Sequence, residues 1–424
     1  MIRITTILQI ILASSLLFIR YQAGHLVLKG GQDITIRGTA FGSKTSPNGK
    51  ATFILKGRSI TCYRCNTVPK TGDTVTVKGR VAIYKNRYDI VAYDITIGDI
   101  TPVGRALFIA DSLRNSLSKN TLEKIVQPQA GLLLGLTLGE KQYISKEFYN
   151  TLVQTGTIHV AVVSGYNVGI LASFLFPFVV RLKKLMARFI TLFICLVAFV
   201  VLVGFSPPVL RASSFFIVVL WGKLSGRQIN GIRIALLCAF VMLFANPDYI
   251  NDPSFTMSFG AFLGIMLLGK PLSQYFKFTF YGLEESLITT LAAQIMVFPL
   301  VSYYFGNVSL ISILTNFLCL WVIPYATILG IVFLFLVRLP LISNILAFGV
   351  YLLLNYFVVT TTLLSYFRPG FVQYRFSVGM LVGYYAMLGV VLYLYRDWGN
   401  KQACFWRNRG DVRDKGNMLN AENK

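Results

Sequence analysis

Ser286 to Val337 reads SLITTLAAQIMVFPLVSYYFGNVSLISILTNFLCLWVIPYATILGIVFLFLV, without one Asp, Glu, Lys or Arg. About 20 apolar residues already cross the ~30 Å hydrocarbon layer of a bilayer. The run is therefore long enough for two spans, and Gly306-Asn307 in its middle marks the turn between them.

The same pattern extends outward in both directions. Phe189–Leu210, Ile234–Pro247, Ser254–Gly269, Leu339–Phe367 and Phe376–Tyr395 are equally free of charge. The whole chain is 55% hydrophobic and 13% charged, with a mean hydropathy of +0.62. A soluble protein would carry about 25% charged residues. The expected fold class is an α-helical multi-pass membrane protein of about nine to ten transmembrane helices. Spans are expected near Ile158–Val180, Arg188–Phe205, Val209–Trp221, Ile232–Asn246, Phe255–Gly269, Ser286–Phe305, Leu310–Val337, Leu341–Phe367 and Phe376–Tyr395, within a membrane domain of residues 158–396.

The N-terminal third differs. Ile4–Ile19 follows Arg3 and reads either as a signal sequence or as an anchor over residues 1–20. The large Tyr21 near a cleavage position favours the anchor. Between residues 24 and 100, segments such as DTVTVKGRVAIYK and RYDIVAYDITIGD alternate apolar and polar residues between Gly, Pro and Asn. Five or so short strands are expected, closed into a small OB-like β-barrel. Residues 101–157 combine an interfacial amphipathic helix (Thr101–Val126) with AGLLLGLTLG (Ala130–Gly139). The latter is too short to span and is expected to be re-entrant or buried.

Basic residues orient the spans. The formal net charge is +23. Arg181, Lys183, Lys184 and Arg188 form one basic loop; Lys223, Arg227 and Arg233 form another; Lys270 and Lys277 form a third. The loops between them hold Arg211 alone, then Asp248 and Asp252, then no charge. By the positive-inside rule the basic loops and the polar tail (397–424) are cytoplasmic. The β-domain then faces the exterior of a cytoplasmic (inner) membrane, although Arg368 and Arg375 also fall outside in this count.

Cations and rings interleave in the β-domain. Arg58, Tyr63, Arg64, Lys78, Arg80, Tyr84, Lys85, Arg87 and Tyr88 suit a single-stranded nucleic acid, with charge along the backbone and rings beneath the bases. The competing reading makes the rings barrel core and the cations solvated surface. Cys62 and Cys65 form the one cysteine motif; without a second pair or a nearby His it is a poor zinc site and a better local disulfide.

Several chemistries are excluded. The chain has two histidines, His25 and His159, and no GxxxxGK[ST] phosphate loop, so transport must draw on a partner or a gradient. Neither metal nor cofactor is expected. His159 and Ser164 stand roughly 140° apart on a helix, too far round to act as a nucleophile and its base. Ser164 also lacks a G-x-S-x-G elbow. Instead, Ser164 and Asn167 would share a helix face, with Gly165 and Gly169 allowing close approach. Such residues line a pathway or join helices. Arg211, just after Pro207-Pro208, either pairs with Asp252 or draws an anion into a pore mouth.

These stretches resemble the competence domain of ComEC-type DNA-uptake channels. GLLLGLTLGE and TGTIHVAVVSGYNVGIL are similar to that family's L-L-L-G-[DE] and T-G-x-x-H-L-x-x-I-S-G-L-H-V. PPVLRASSFFIVVLWGKLSGR resembles its P-x-x-R-A block with a following G-R. ANPDYINDPSFTMSFGAFLGI resembles N-P-x-x-x-x-D-x-x-F-x-L-S-F-x-A, and QIMVFPLVSYYFGNVSLISILTNFLCLWVIP its P-x-x-x-x-x-F-G-x-x-S-x-x-x-x-x-N. The resemblance implies a channel for single-stranded DNA, not an enzyme. His159, Ser164, Gly165, Arg211, Asn246, Asp252, Ser258 and Asn316 fall on motif positions as pore or pore-support candidates. Asn167 joins them in place of the family's second histidine, so no proton or metal role carries over there. It also implies membrane lipid, a cytoplasmic ATPase or helicase and an extracytoplasmic DNA-delivery protein as partners. Large members add a metallo-β-lactamase-like domain; none is read after the last span here, so the expectation is either a separate nuclease or strand degradation by another route.

The alternatives are a transporter of another anionic or amphiphilic substrate and an intramembrane serine hydrolase. An active-site serine probe is expected to leave Ser164 unlabelled; labelling there would establish the hydrolase.

Overall fold

The computed structural model describes residues 31–395 except 46–49, 56–57, 64–66, 85–86, 162, 205, 227–229, 246–248, 251, 276–282 and 368–370. Asn246, Arg64, Lys85 and Cys65 lie outside the described residues, as do the expected anchor and tail.

Six strands build the N-terminal sheet: β1 (Asp33–Thr39), β2 (Phe41–Thr45), β3 (Lys50–Leu55), β4 (Arg58–Tyr63), β5 (Thr74–Tyr84) and β6 (Arg87–Gly98). Their order is β1-β5-β6-β4-β3-β2, antiparallel except for the parallel β4–β6 pair. Among the described residues no barrel closes, which corrects the expected architecture. The physical cause lies at Ala40. There the chain leaves the β5 ladder, its N–H bonding to Asp73 O at 2.8 Å, and continues as a separate strand against β3. Alternation still builds the core: Phe53, Leu55, Ile60, Cys62, Val75, Val77 and Ile90 are buried together.

Helix α1 (Pro102–Lys124) starts at Thr101, whose hydroxyl accepts from Gly104 N–H at 3.0 Å, with proline at its first position. Its packing is inverted relative to a soluble amphipathic helix. It buries Arg114, Ser118 and Thr121 and leaves Val103, Ile109 and Leu113 exposed. Helix α2 (Gln129–Leu138) is buried at every position and ends on left-handed Gly139. It packs with Phe148 and Leu152 of α3 (Lys146–Gln154) in the largest core cluster.

The first expected span begins later than its apolar run suggests. The chain does not form a helix from Ile158; α4 runs Gly165–Val179, and Ser164 precedes it in an extended conformation. Left-handed Gly156 and the Thr155–Thr157 hydroxyl contact at 2.9 Å turn the backbone before it. Ser164 and Asn167 therefore do not share a helix face, and His159 lies in the turn.

The remaining helices are α5 (Leu185–Val203), α6 (Pro207–Leu224), α7 (Gly231–Ala245), α8 (Pro253–Tyr275), α9 (Leu283–Phe305), α10 (Ser312–Cys319), α11 (Val322–Leu336), α12 (Pro340–Ser365) and α13 (Val378–Tyr395). Two three-residue strands, β7 (Asn307–Ser309) and β8 (Phe371–Gln373), sit in loops. Among the described residues five helices are long and apolar enough to cross a membrane, or six if the α10–α11 pair, bent by 49°, is one span. That is fewer than the nine expected between Ile158 and Tyr395. The difference lies in α4, α6 and α7, apolar but short, where a 15-residue helix reaches only about 22 Å.

The chain divides into two compact units. The smaller holds residues 298–308 and the chain from 373. Within it, Ser302 Oγ donates to Tyr374 O at 2.6 Å and accepts from Phe376 N–H at 3.2 Å.

Close backbone approach sets the packing of α2. A Cβ on Gly135 would lie 2.3 Å from Ala161 O. Gly135→Val is expected to cost at least about 1–3 kcal/mol, the usual penalty of overpacking, read as a lowered unfolding midpoint of the detergent-solubilised chain.

Candidate functional site

The site is built where helices begin. The turn after α3 is pinned from several sides: Ser309 Oγ donates to Gln154 O at 2.7 Å, and Gly156 packs against the Ser312 side chain at the start of α10. His159 is exposed; its Nδ1 lies 3.2 Å from Gly156 O, an acceptor only, so that nitrogen carries the proton in this contact. At the start of α4, a Cβ on Gly165 would stand 3.2 Å from Ala212 Cβ on α6.

Arg211, beside Ala212, is 5% exposed. Its Nη2 donates to both Ser254 O and Ser254 Oγ at 2.9 Å, and its guanidinium lies 6.0 Å from the Phe255 ring. Asp252 caps α8 by accepting from Ser254 N–H at 2.9 Å. Arg211 and Asp252 thus meet at one residue, Ser254, which the sequence alone did not single out. Ser258, four residues along α8, is exposed.

Asn167 is buried and its Nδ2 donates to Leu136 O at 3.0 Å. Leu136 lies in the last turn of α2, where carbonyls lack helical partners, so this bond ties α4 to the end of α2. Asn316 is buried on α10, one turn from Ser312, and Gln294 Nε2 donates to Ser312 Oγ at 3.2 Å. The structure therefore links the starts of α4, α6 and α8 through Gly165–Ala212 and Arg211–Ser254, while Gly156–Ser312 joins the turn after α3 to the start of α10.

Sequence reasoning missed one charged cluster. Arg114 of α1 is 8% exposed and Glu140, just past α2, is 4% exposed; Arg114 Nε lies 2.8 Å from Glu140 Oε1. Asp111 pairs with the same guanidinium. The Nε contact is close but poorly aligned as a hydrogen bond, and Glu140 Oε2 has no partner among the described residues. Gly204, left-handed at the end of α5, gives Arg114 its room: a Cβ there would meet Nη1 at 2.6 Å. The signal was present as the last letter of GLLLGLTLGE.

On the sheet, Tyr63 is 60% exposed with the Lys50 ammonium 5.3 Å from its ring centre. Lys78 and Arg80 are not free cations: Lys78 pairs with Asp94 at 3.5 Å and Arg80 with Asp33 at 3.1 Å. The hydrogen bond and charge of Asp33 hold the Arg80 guanidinium above its ordinary pKa. Exposed pairs of this kind are worth only about 0–1 kcal/mol, so a phosphate can compete for them. Arg58, Tyr84, Arg87 and Tyr88 lie in strands, with their side chains outside the description. Cys62 is disulfide-bonded.

A helical core with several membrane-length helices, an N-terminal sheet and polar helix starts gathered around a buried arginine defines a class of polytopic protein. Residues 136–398 match the family model described as Competence protein, and the chain belongs to that family, the ComEC family. It is 29% identical over 217 residues to ComE operon protein 3 of Bacillus subtilis (strain 168), covering 51% of this chain and 27% of that protein. It is 28% identical over 251 residues to Recombination protein 2 of Haemophilus influenzae, covering 52% and 31%. An uncharacterized protein of Aquifex aeolicus is 28% identical over 279 residues, covering 64% and 63%. The chain thus spans about a quarter to two thirds of these relatives' own lengths.

Breaking the Arg114–Glu140 pair on one side leaves a buried charge, which costs about 3–5 kcal/mol. Arg114→Met, which strands the buried Glu140 carboxylate, should lower the unfolding midpoint sharply, and Glu140→Met, which leaves Arg114 paired with Asp111, should lower it less. The double variant should recover much of the loss, measured by thermal unfolding in detergent.

Proposed function

We propose that this protein carries single-stranded DNA across the cytoplasmic membrane during DNA uptake in competence. The observation that carries the reading is the family match over residues 136–398. Its motif residues Gly165, Arg211 and Asp252 meet through neighbours at the starts of α4, α6 and α8. The named relatives support a competence role, one being a ComE operon protein and another a recombination protein.

The loop charges place those helix starts and the N-terminal sheet on the extracytoplasmic side, with the C-terminus in the cytoplasm. The sheet receives the strand at Tyr63 and Lys50, where a ring and a cation lie together. Its two end strands, β1 and β2, are separated by Ala40 alone. Taken as one bent strand, they give the sheet an OB-like order, the form suited to a single strand. The exposed apolar residues of α1 rest in the lipid headgroup boundary, with Arg105 and Lys119 at its surface. The chain acts as a channel rather than an enzyme; a cytoplasmic ATPase or helicase and a DNA-delivery protein complete the route.

Deletion of the gene is expected to abolish entry of labelled DNA into the cytoplasm while surface binding persists. Normal transformation with an altered envelope would instead favour a transporter of another anionic or amphiphilic substrate.

A further inference from the structure

We propose that Tyr63 and Tyr93 form a platform on the outer face of the sheet that stacks two neighbouring unpaired nucleobases, with Lys50 and Arg80 holding phosphates on either side; this rests on, and deepens, the DNA reading. Strand register carries the inference. β4 and β6 run parallel, with Ile60 beside Ile90, Thr61 beside Val91 and Cys62 beside Ala92. Continuing that register by one residue sets Tyr63 beside Tyr93, on strands about 4.7–4.9 Å apart. Cys62 and Ala92 are buried in the core of the sheet, so by alternation both tyrosines face the other way. They are 60% and 64% exposed.

A β-bulge gives Tyr93 its position. Against β5, Ala92 pairs with Gly79 and Asp94 with Lys78, so Tyr93 is an extra residue without an opposite number. Bulges re-aim side chains and recur beside functional sites. Gly79 makes room for this one: a Cβ there would lie 2.6 Å from Val91 O and 3.0 Å from Ala92 Cα. The bulge thus turns outward a ring that adds nothing to the core, next to a second ring that does the same.

Each ring has a cation on its far side. Lys50 of β3 lies opposite Tyr63, its ammonium 5.3 Å from the ring centre. On β5, Arg80 is near enough to Tyr93 for the phenol oxygen to act on its charge. The row across β3, β4, β6 and β5 therefore reads cation, ring, ring, cation. Charge complementarity names the occupant. Among the described residues, this face carries Arg37, Lys50, Lys78 and Arg80 against Asp33 and Asp94. Four cations against two carboxylates suit a polyanion, whereas a neutral sugar chain could stack on the rings but would leave the cations unused. A duplex hides the faces of its bases, so a strand that stacks here is single.

The full chain in detergent micelles tests this by fluorescence anisotropy with three labelled probes. These are oligothymidylate, an abasic strand with the same backbone, and a neutral chitooligosaccharide. Tyr93→Ala should weaken oligothymidylate binding about tenfold, the loss of one stacked base, and leave the abasic strand unchanged. Tyr93→Phe, which keeps the ring, should bind oligothymidylate as the wild type does. Arg80→Gln should weaken both strands and flatten the salt slope of each by about 0.7, the value for one phosphate contact to a single strand. Unaltered oligothymidylate binding by Tyr93→Ala would overturn the platform and leave the DNA reading standing. Equal losses on the oligothymidylate and abasic strands would overturn it too, since the ring would then be acting on the fold and not on a base. Tyr93-dependent binding of the chitooligosaccharide by a chain that ignores both strands would overturn the nucleobase assignment. A wild-type chain that binds no probe would overturn the platform. The DNA reading falls separately, if a deletion strain takes up labelled DNA normally.

Discussion

Complete burial of α2 is the constraint on which the rest of the helical core depends. All ten residues of this helix are shielded from solvent. Backbone groups at its ends must therefore find partners inside the protein. Gly139 turns the chain so that Glu140 N–H reaches Leu134 O at 3.1 Å, and Asn167 reaches across from α4 to Leu136 O. Glycines let neighbours come close enough: Gly135 against Ala161 O, and Gly330 of α11 against Leu133. One short apolar helix thereby sets the positions of α4, α11 and the turn that carries His159.

The same burial explains the cluster at Arg114. Charges in a dry interior are tolerated only when paired, and Arg114 sits between two carboxylates. Its guanidinium reaches them because α1 turns its polar side inward and its apolar side out. That inversion would be costly in water and is natural for a helix lying against lipid. Arg211 differs: Arg114 lies between opposing charges, whereas Arg211 bonds through one nitrogen to Ser254 of α8.

Much of this organisation was legible in the sequence, for identifiable reasons. Charge-free runs such as Ser286–Val337 announced the apolar helices, because hydrocarbon rejects charge without regard to tertiary context. Period-two alternation around Val75 and Val77 announced strands. Arg211 stood out as a lone cation after two prolines. Other features were misread. His159 to Ser164 reads like the beginning of a span because Val160 and Val163 are apolar, yet apolar residues pack as well in a buried turn as in a helix. The barrel was overdrawn because alternation reports which residues face inward and says nothing of where a ladder changes partner, as it does at Ala40.

The sequence by itself determined the membrane-like composition, the sheet followed by helices, and the motif blocks that place the chain in the Competence family. Hydropathy and residue spacing are local, additive properties, and these conclusions need nothing more. Only the tertiary structure decided which motif residues act together. Asn167 belongs to the end of α2, Arg211 and Asp252 meet on Ser254, and Lys78 and Arg80 face carboxylates across the strands. Such pairings depend on how distant segments pack. A polar residue in an apolar run carries the same local signature whether its partner is a carbonyl 31 residues away or a ligand.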